Sequence, residues 1–187
     1  MTFGEQSSSR WTILADRVVA QNPHIRPSIT SVDLPDRVAS EQYLIPPFRY
    51  AMTVVLDEAI ERMLLIWRHR SVIDGWGWEL PGGQIDPGED GAADAARKVE
   101  EETGYRPRAI KHIMTFQPTT STADSAQELY AVQGADRVGT PEADEPEAVR
   151  WIPVTEIPAL INAGTIAGAP TIIGAQFALL AAAQRTR

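Results

Sequence analysis

Two apolar runs frame the chain. Ala51–Leu56 (A-M-T-V-V-L) and Met63–Trp67 (M-L-L-I-W) each read as a buried strand. The polar stretch Asp57–Arg62 lies between them, so the pair predicts a hairpin. Ile110–Phe116 and Glu128–Val132 predict two further strands, joined by a small-residue loop from Pro118 to Ser125 that is long enough to be functional. Val149–Ile152 predicts a closing strand. The period then changes. Thr155 is placed to cap a helix through about Asn162, with Pro158 tolerated early. A last helix is predicted over Thr171–Gln184, with Ile172, Ile173, Gln176, Phe177 and Leu180 as a mainly apolar face. Upstream, Trp11 to Pro47 alternates short apolar groups with prolines and turn residues, which predicts several short antiparallel strands. The order of strands, helix, strands and helices indicates an α/β fold with a mixed sheet between helices. Residues 1–47 form an N-terminal strand segment and 48–187 the main domain.

The stretch Trp78–Tyr105 stands apart from this apolar frame. Pro81-Gly82-Gly83 and Asp86-Pro87-Gly88 predict two turns. Ala92–Thr103 contains no proline or glycine and is rich in helix formers, and Gly104 supplies a left-handed stop. Asp94, Lys98, Glu101 and Glu102 share one side of that helix. Glu101 and Glu102 repel each other unless a cation sits between them. Hard divalent ions suit this role, because they take oxygen ligands from carboxylates and phosphates. A glycine-rich turn lets backbone groups approach such an ion and its ligand.

These residues resemble the box of the Nudix hydrolases, G-x5-E-x7-R-E-U-x-E-E-x-G-U, where U is bulky and apolar. Gly83, Glu89, Arg97, Val99, Glu101, Glu102, Gly104 and Tyr105 fall at the matching positions. The pattern is long and its spacings are fixed, so the signal is specific. The resemblance implies a Nudix-type α/β/α sandwich with Mg2+ (or Mn2+) held by Glu101, Glu102 and the Gly82 carbonyl. It gives Gly83, Glu89, Arg97 and Gly104 structural roles, with Arg97 paired to Glu89. One position departs from the pattern: after Arg97 the family has Glu and this chain has Lys98. That exchange changes the charge by two units and removes two ligand oxygens. An ammonium three and four residues before Glu101 and Glu102 can bond both, and so take the place of one metal ion.

Further resemblance is to the ADP-ribose pyrophosphatase-like branch. It covers the N-terminal strands, which in that branch commonly help form a homodimer, and the F-Q-P…E-L-Y-A region around Phe116–Ala131. In that branch an arginine at the place of Arg70 lies near substrate, and a glutamate from the loop after the box serves as base, which makes Glu145 and Glu147 the candidates here. Glu79 is a further carboxylate beside the site. Trp76, between two glycines in a loop, is the candidate for stacking on a base, and Trp78 is the core wall.

Composition narrows the partners. The chain has 187 residues, a net charge of −8 and no cysteine. No basic patch argues for long nucleic acid. No apolar run reaches membrane-spanning length, and the first residues lack the apolar centre of a signal peptide. Without cysteine there is no thiol chemistry. The cytoplasm is the default. The expected activity is hydrolysis of a nucleoside diphosphate derivative such as ADP-ribose or a nucleotide sugar, with Arg70, Trp76, Lys98 and Glu79 around the substrate. The alternative is a Nudix-fold protein that binds such a ligand without efficient turnover, because Lys98 displaces the metal.

Overall fold

The structure is a computed structural model that describes residues 12–21, 26–34, 37–45, 48–142 and 146–185. The chain divides into two compact units. The described residues up to Ile45 form one together with Thr119–Ser125, and Phe48–Pro118 with the described residues from Ala126 onward form the other.

The first unit is an antiparallel meander of β1 (Thr12–Val18), β2 (Ser28–Leu34) and β3 (Arg37–Leu44). Ile29, Val32, Ser28 and Thr30 are buried along the central strand, whereas Ile13, Leu14 and Tyr43 are exposed. The Thr119–Ser125 segment joins this unit through a backbone bond from Ile45 N–H to the Thr122 carbonyl.

The second unit runs β4 (Tyr50–Leu56), β5 (Arg62–Arg70), β6 (Gly75–Glu79), β7 (Gly82–Gln84), α1 (Gly91–Thr103), β8 (Tyr105–Pro107), β9 (Lys111–Phe116), β10 (Gln127–Gln133), β11 (Ala135–Arg137), β12 (Ala148–Pro153), α2 (Ile157–Asn162) and α3 (Ala169–Arg185). Its main sheet has the order β12-β5-β4-β10-β9, with β10 parallel to β4 and the other neighbours antiparallel. The sheet is therefore mixed, as expected.

Alternation along β4 fixes the layers, because successive side chains point to opposite faces. Val54 and Leu56 join Leu80, Leu129, Ile157, Ala175 and Ala178 under α2 and α3. Ala51 and Val55 lie on the other face, in the clusters that contain Ala95 and Val99 of α1. The result is helix, sheet, helix. Complete burial of a side chain such as Val99 contributes about 1.5–3 kcal/mol.

Three readings of the sequence change. Thr155 lies in a 3₁₀ turn and makes no cap; α2 starts at Ile157, with Glu156 in helical geometry before it. Leu180 is 65% exposed, and α3 instead buries Thr171, Gly174, Ala175 and Ala178. Small residues let this helix lie close to the sheet, so the buried stripe follows size rather than hydropathy. The segment around Trp76 is a strand and not a loop, because β6 pairs along β5 from Ile66↔Glu79 to Arg70↔Gly75.

The box helix is fixed at both ends. Asp90 caps it by accepting the backbone N–H groups of Ala92 and Ala93 at 3.1 and 3.0 Å. Gly104, at φ 72°, ends it. At the first residue, a Cβ on Gly91 would fall 2.3 Å from Glu128 Oε2 and 2.5 Å from Tyr130 Oη. Glycine there lets the Glu128 carboxylate sit against the positive end of the helix dipole. Glu128 accepts from Tyr130 Oη at 2.6 Å and from Arg49 at 2.9 and 2.6 Å.

Burial pushes the Glu128 carboxyl up, but the hydrogen bonds from Tyr130 and Arg49 outweigh it and hold the group below its ordinary 4.5. A depressed carboxyl contributes stability that is complete above its unfolded pKa and is lost as pH falls through the folded one. We therefore expect the stability gap between wild type and Glu128→Gln, from urea denaturation, to be larger at pH 7 than at pH 3. An equal gap at both pH values would show that this carboxylate is not held by its partners.

Candidate active site

The site forms where the central sheet opens. β4 and β5 pair only at Val55↔Leu64 and Leu56↔Met63; beyond that, β6 adds to β5 and β7 adds to β4. A cleft of about 370 Å³ lies there, lined by Arg68, Arg70, Glu79, Gly82 and Gly83, and by Tyr50, Gln84 and Gln127. A larger hollow of about 880 Å³ is lined by Ile60, Arg62, Val154 and Leu179 among others and includes no box residue. The smaller cleft is the one that includes the box glycine Gly83 and its neighbour Gly82.

Gly82 makes the cleft possible. Its φ is +147°, and a Cβ would stand 2.1 Å from the Ala51 carbonyl oxygen, so no other residue fits. The turn aims the Gly82 N–H at Glu102 Oε2, 2.7 Å away. Arg68 Nη2 donates to the other oxygen of the same carboxylate at 2.5 Å, and both side chains are largely buried. Glu102 thus joins α1 to the glycine turn and to β5.

Glu101 lies one row over. Arg97 Nη1 donates to both its oxygens at 3.0 and 2.9 Å, while Nη2 bonds Asp94 and stands 3.4 Å from Glu89 Oε2. One guanidinium therefore gathers the loop acid and two helix acids, which places Arg97 and Glu89 as the sequence suggests.

Lys98 does not bridge Glu101 and Glu102. Side chains on a helix lean toward its N-terminus, so Lys98 reaches back to Asp94, with Nζ 3.7 Å from Oδ1. Its Cδ, Cε and Nζ lie 3.5 Å from where a Cβ on Gly83 would be. Asp94 is fully buried, and its Oδ2 has no hydrogen-bond partner among the described residues. Burial pushes the Asp94 carboxyl up, the charges of Lys98 and Arg97 oppose that, and the nearby Glu89 carboxyl pushes it up further.

Arg70 and Glu79 face each other across the cleft wall, with Nε and Nη2 donating at 2.9 and 2.5 Å. Trp76 does not join them. It pairs in register with His69 and stacks on Trp67 at 6.1 Å, on the face of β5 opposite Arg68 and Arg70. Trp78 packs against the core, with the Arg150 guanidinium 5.8 Å from its ring.

Of the two loop glutamates, Glu145 lies outside the described residues. The Glu147 N–H donates to the Trp67 carbonyl at 3.0 Å, one step past the Ala148↔Trp67 pair. Alternation puts its side chain on the face of Val149 and Trp151, which pack in the Val99 cluster. The acidic loop is tied to the box helix by bonds from Glu142 N–H to the Glu101 carbonyl at 2.7 Å and from Val138 N–H to the Gly104 carbonyl at 2.9 Å.

Sequence reasoning missed two features. The first is Arg68 as the partner of Glu102. The second is the row Gln84, Tyr50 and Gln127, aligned across β7, β4 and β10. Gln127 Oε1 in that row is buried without a hydrogen-bond partner among the described residues. Both depend on strand register, which single-strand patterns do not carry.

The donor set can be tested against a divalent ion. Among the described residues no three His, Cys, Asp or Glu side chains are arranged to hold a metal ion by themselves. Mg2+, however, is commonly held by one or two carboxylates plus the substrate's own phosphates. Each oxygen of Glu102 makes one described hydrogen bond and retains a lone pair. Glu102 fits such a reduced set, whereas both oxygens of Glu101 are held by Arg97.

The sequence model of the NUDIX domain family matches residues 47–171. The chain belongs to the Nudix family. Its relatives include a CMP-5'-(N-acetyl-N-hydroxy-3-aminopropyl)phosphonate hydrolase of Streptomyces rubellomurinus, 42% identical over 88% of this chain and 80% of that one. The ADP-ribose pyrophosphatase of Bacillus subtilis is 27% identical over 68% of this chain and 69% of that one. A crystal structure of an ADP compounds hydrolase shares the fold, with a TM-score of 0.81 at 19% identity over 97% of this chain and 98% of that one. This Nudix chain is an enzyme of the pyrophosphohydrolase class, and the family generally uses divalent metal ions. No described helix is long and apolar enough to cross a membrane.

The Arg68–Glu102 pair supports a direct stability test. Arg68→Ala should cost about 2–3 kcal/mol in urea denaturation, because it leaves a carboxylate largely buried with one partner. Arg68→Lys should recover part of that loss, because an ammonium restores the charge without the planar guanidinium. A loss within about 0.5 kcal/mol, typical of an ordinary surface substitution, would show that the pair does not hold the helix to the sheet.

Proposed function

We propose that this Nudix enzyme hydrolyses the P–O–P anhydride of a small nucleotide derivative. The class covers nucleoside diphosphates joined to a second group, such as ADP-ribose or a nucleotide sugar. It also covers a nucleoside monophosphate joined to a phosphonate, the kind of linkage named for the Streptomyces relative. The observation that carries this reading is the Glu102 carboxylate held at the Gly82 turn, beside a cleft that also contains Arg68 and Arg70.

The arginines of the cleft bind and orient the phosphate oxygens, since a guanidinium fork matches them. The Arg70–Glu79 pair opens toward the ligand, and Arg70 exchanges one carboxylate oxygen for a phosphate oxygen. Glu101, Glu102 and the Gly82 carbonyl would hold Mg2+ or Mn2+. When bound, that ion lowers the pKa of a ligated water and offsets charge on the phosphorus oxygens. Glu147 takes the proton of the attacking water; it stands on the same sheet face as the box helix. The water oxygen bonds to one phosphorus, the bridging P–O bond breaks, and the departing phosphate carries away the bridging oxygen. With ADP-ribose the products are AMP and ribose 5-phosphate. A homodimer through the N-terminal sheet accords with the exposed Ile13, Leu14 and Tyr43. Tyr43→Glu with Leu14→Glu should then shift the mass in sedimentation equilibrium to that of a monomer, and a monomeric wild type would end that part of the reading.

The activity is tested by product analysis with 31P NMR on ADP-ribose, nucleotide sugars and a CMP-phosphonate anhydride in Mg2+ and in Mn2+. Glu102→Gln should lower kcat by about 100-fold or more, as loss of a group acting on developing charge commonly does. Arg70→Ala should raise KM about tenfold with a smaller change in kcat. If none of these anhydrides is cleaved by folded protein, the substrate class is wrong.

A further inference from the structure

Lys98 has no assigned task once the hydrolytic roles are distributed, and its surroundings are unusual for a lysine. Its side chain is 17% exposed, and its stem lies along Gly83, whose backbone lines the cleft. Its nearest countercharge, Asp94 Oδ1, is 3.7 Å away, beyond hydrogen-bonding distance. An ammonium carries three donors, and among the described residues Nζ donates no hydrogen bond. The neighbouring acids are satisfied by other cations: Glu102 by Arg68, Glu101 by Arg97. Burying an ammonium with so little pairing is costly. A group held this way is prepared for an anion that arrives later.

We propose that Lys98 is the protein's own cation at the glycine turn: it binds a phosphate oxygen of the ligand directly, so that a diphosphate binds this site without a metal ion. The proposal rests on the diphosphate reading above. Gly83 has no side chain to screen the ammonium from the cleft, and Asp94, fixed in the core by Arg97, keeps Lys98 from swinging outward. The same charge disfavours a divalent ion at the position an acid would serve, which leaves the reduced metal set of Glu101 and Glu102. Exchanging the lysine for an acid should therefore create a metal site that the natural protein lacks.

Only two of the chain's 17 Lys and Arg residues are lysines, Lys98 and the exposed Lys111, which makes the lysine readable by chemistry. The probe is α,β-methylene ADP, whose P–C–P bridge resists hydrolysis. Its binding is measured by calorimetry in EDTA and in Mg2+ for wild type, Lys98→Gln and Lys98→Met, with circular dichroism melts to confirm folding. In wild type, acetic anhydride labelling read by mass spectrometry reports protection of Lys98, with Lys111 as the internal control. Mn2+ binding without nucleotide is counted by electron paramagnetic resonance in wild type and Lys98→Glu.

Wild type should bind the probe in EDTA. Both neutral variants should bind it about 10- to 100-fold more weakly, the usual value of a charge-assisted hydrogen bond. The probe should slow acetylation of Lys98 and leave Lys111 unchanged. Lys98→Glu should bind one more Mn2+ than wild type. Binding that requires Mg2+ and is the same in the neutral variants, with no protection of Lys98, overturns the proposal and leaves the diphosphate reading standing. No binding under any condition, in a folded protein, overturns both.

Discussion

A single carboxylate ties the box helix to the rest of this molecule. Glu102 projects from the penultimate residue of α1 and is bonded at once to the Gly82 N–H and to Arg68 on β5. The first bond fixes the helix against the turn between β6 and β7. The second fixes it against the sheet. The first contact would not exist if residue 82 carried a side chain, because its Cβ would overlap the Ala51 carbonyl. The opening between β4 and β5, the glycine turn and the acid on the helix are one mechanical arrangement. The arrangement that holds the helix down also sets a carboxylate against Gly82 and Arg68, two residues that line the cleft.

Electrostatics follow a division of labour. Four acids lie on or just before the inner surface of α1, in a protein whose net charge is already −8. Left alone they would drive the helix off the sheet. Three cations answer them individually: Arg68 takes Glu102, Arg97 takes Glu101, Glu89 and Asp94, and Lys98 stands by Asp94. The guanidinium groups bond their partners at hydrogen-bond distance, whereas the lone ammonium stands off at a longer distance. This contrast, more than the absence of one glutamate, separates the present helix from the pattern it resembles.

The main features of the fold were legible because they follow from local rules. The apolar runs over 51–56 and 63–67 required buried strands, and the absence of proline and glycine between Ala92 and Thr103, followed by Gly104, required a helix of that length and end. The box spacings marked the positions of Glu101, Glu102, Arg97 and Glu89 for the same reason: a helix repeats regularly, so spacing is geometry. Errors arose where the answer depends on pairing between distant strands. Trp76 read as a loop residue because two glycines flank it, but its place is set by β5, which dictates both the strand and the face. The partnership of Arg68 with Glu102 spans 34 residues and leaves no trace in either local segment. Leu180 misled because hydropathy was taken as a guide to packing where side-chain size decided it.

The direction in which Lys98 points has a wider consequence for reading such helices. A residue in this box is usually assigned by the carboxylates that follow it, because those are the neighbours written next in the sequence. Physically, its side chain belongs to the turn that precedes it. A glutamate at this position would lean the same way, onto the surface of Gly83 and toward Asp94. There, two negative charges would need a cation between them, and a divalent ion would answer that need. The lysine meets Asp94 with a charge already attached to the chain. The exchange of one side chain therefore need not dismantle the site: it replaces a cation drawn from solution with one that the protein carries permanently. On the proposed reading, mineral and organic cations would share the work of neutralising the ligand's phosphates, with Glu102 serving the first and Asp94 positioning the second.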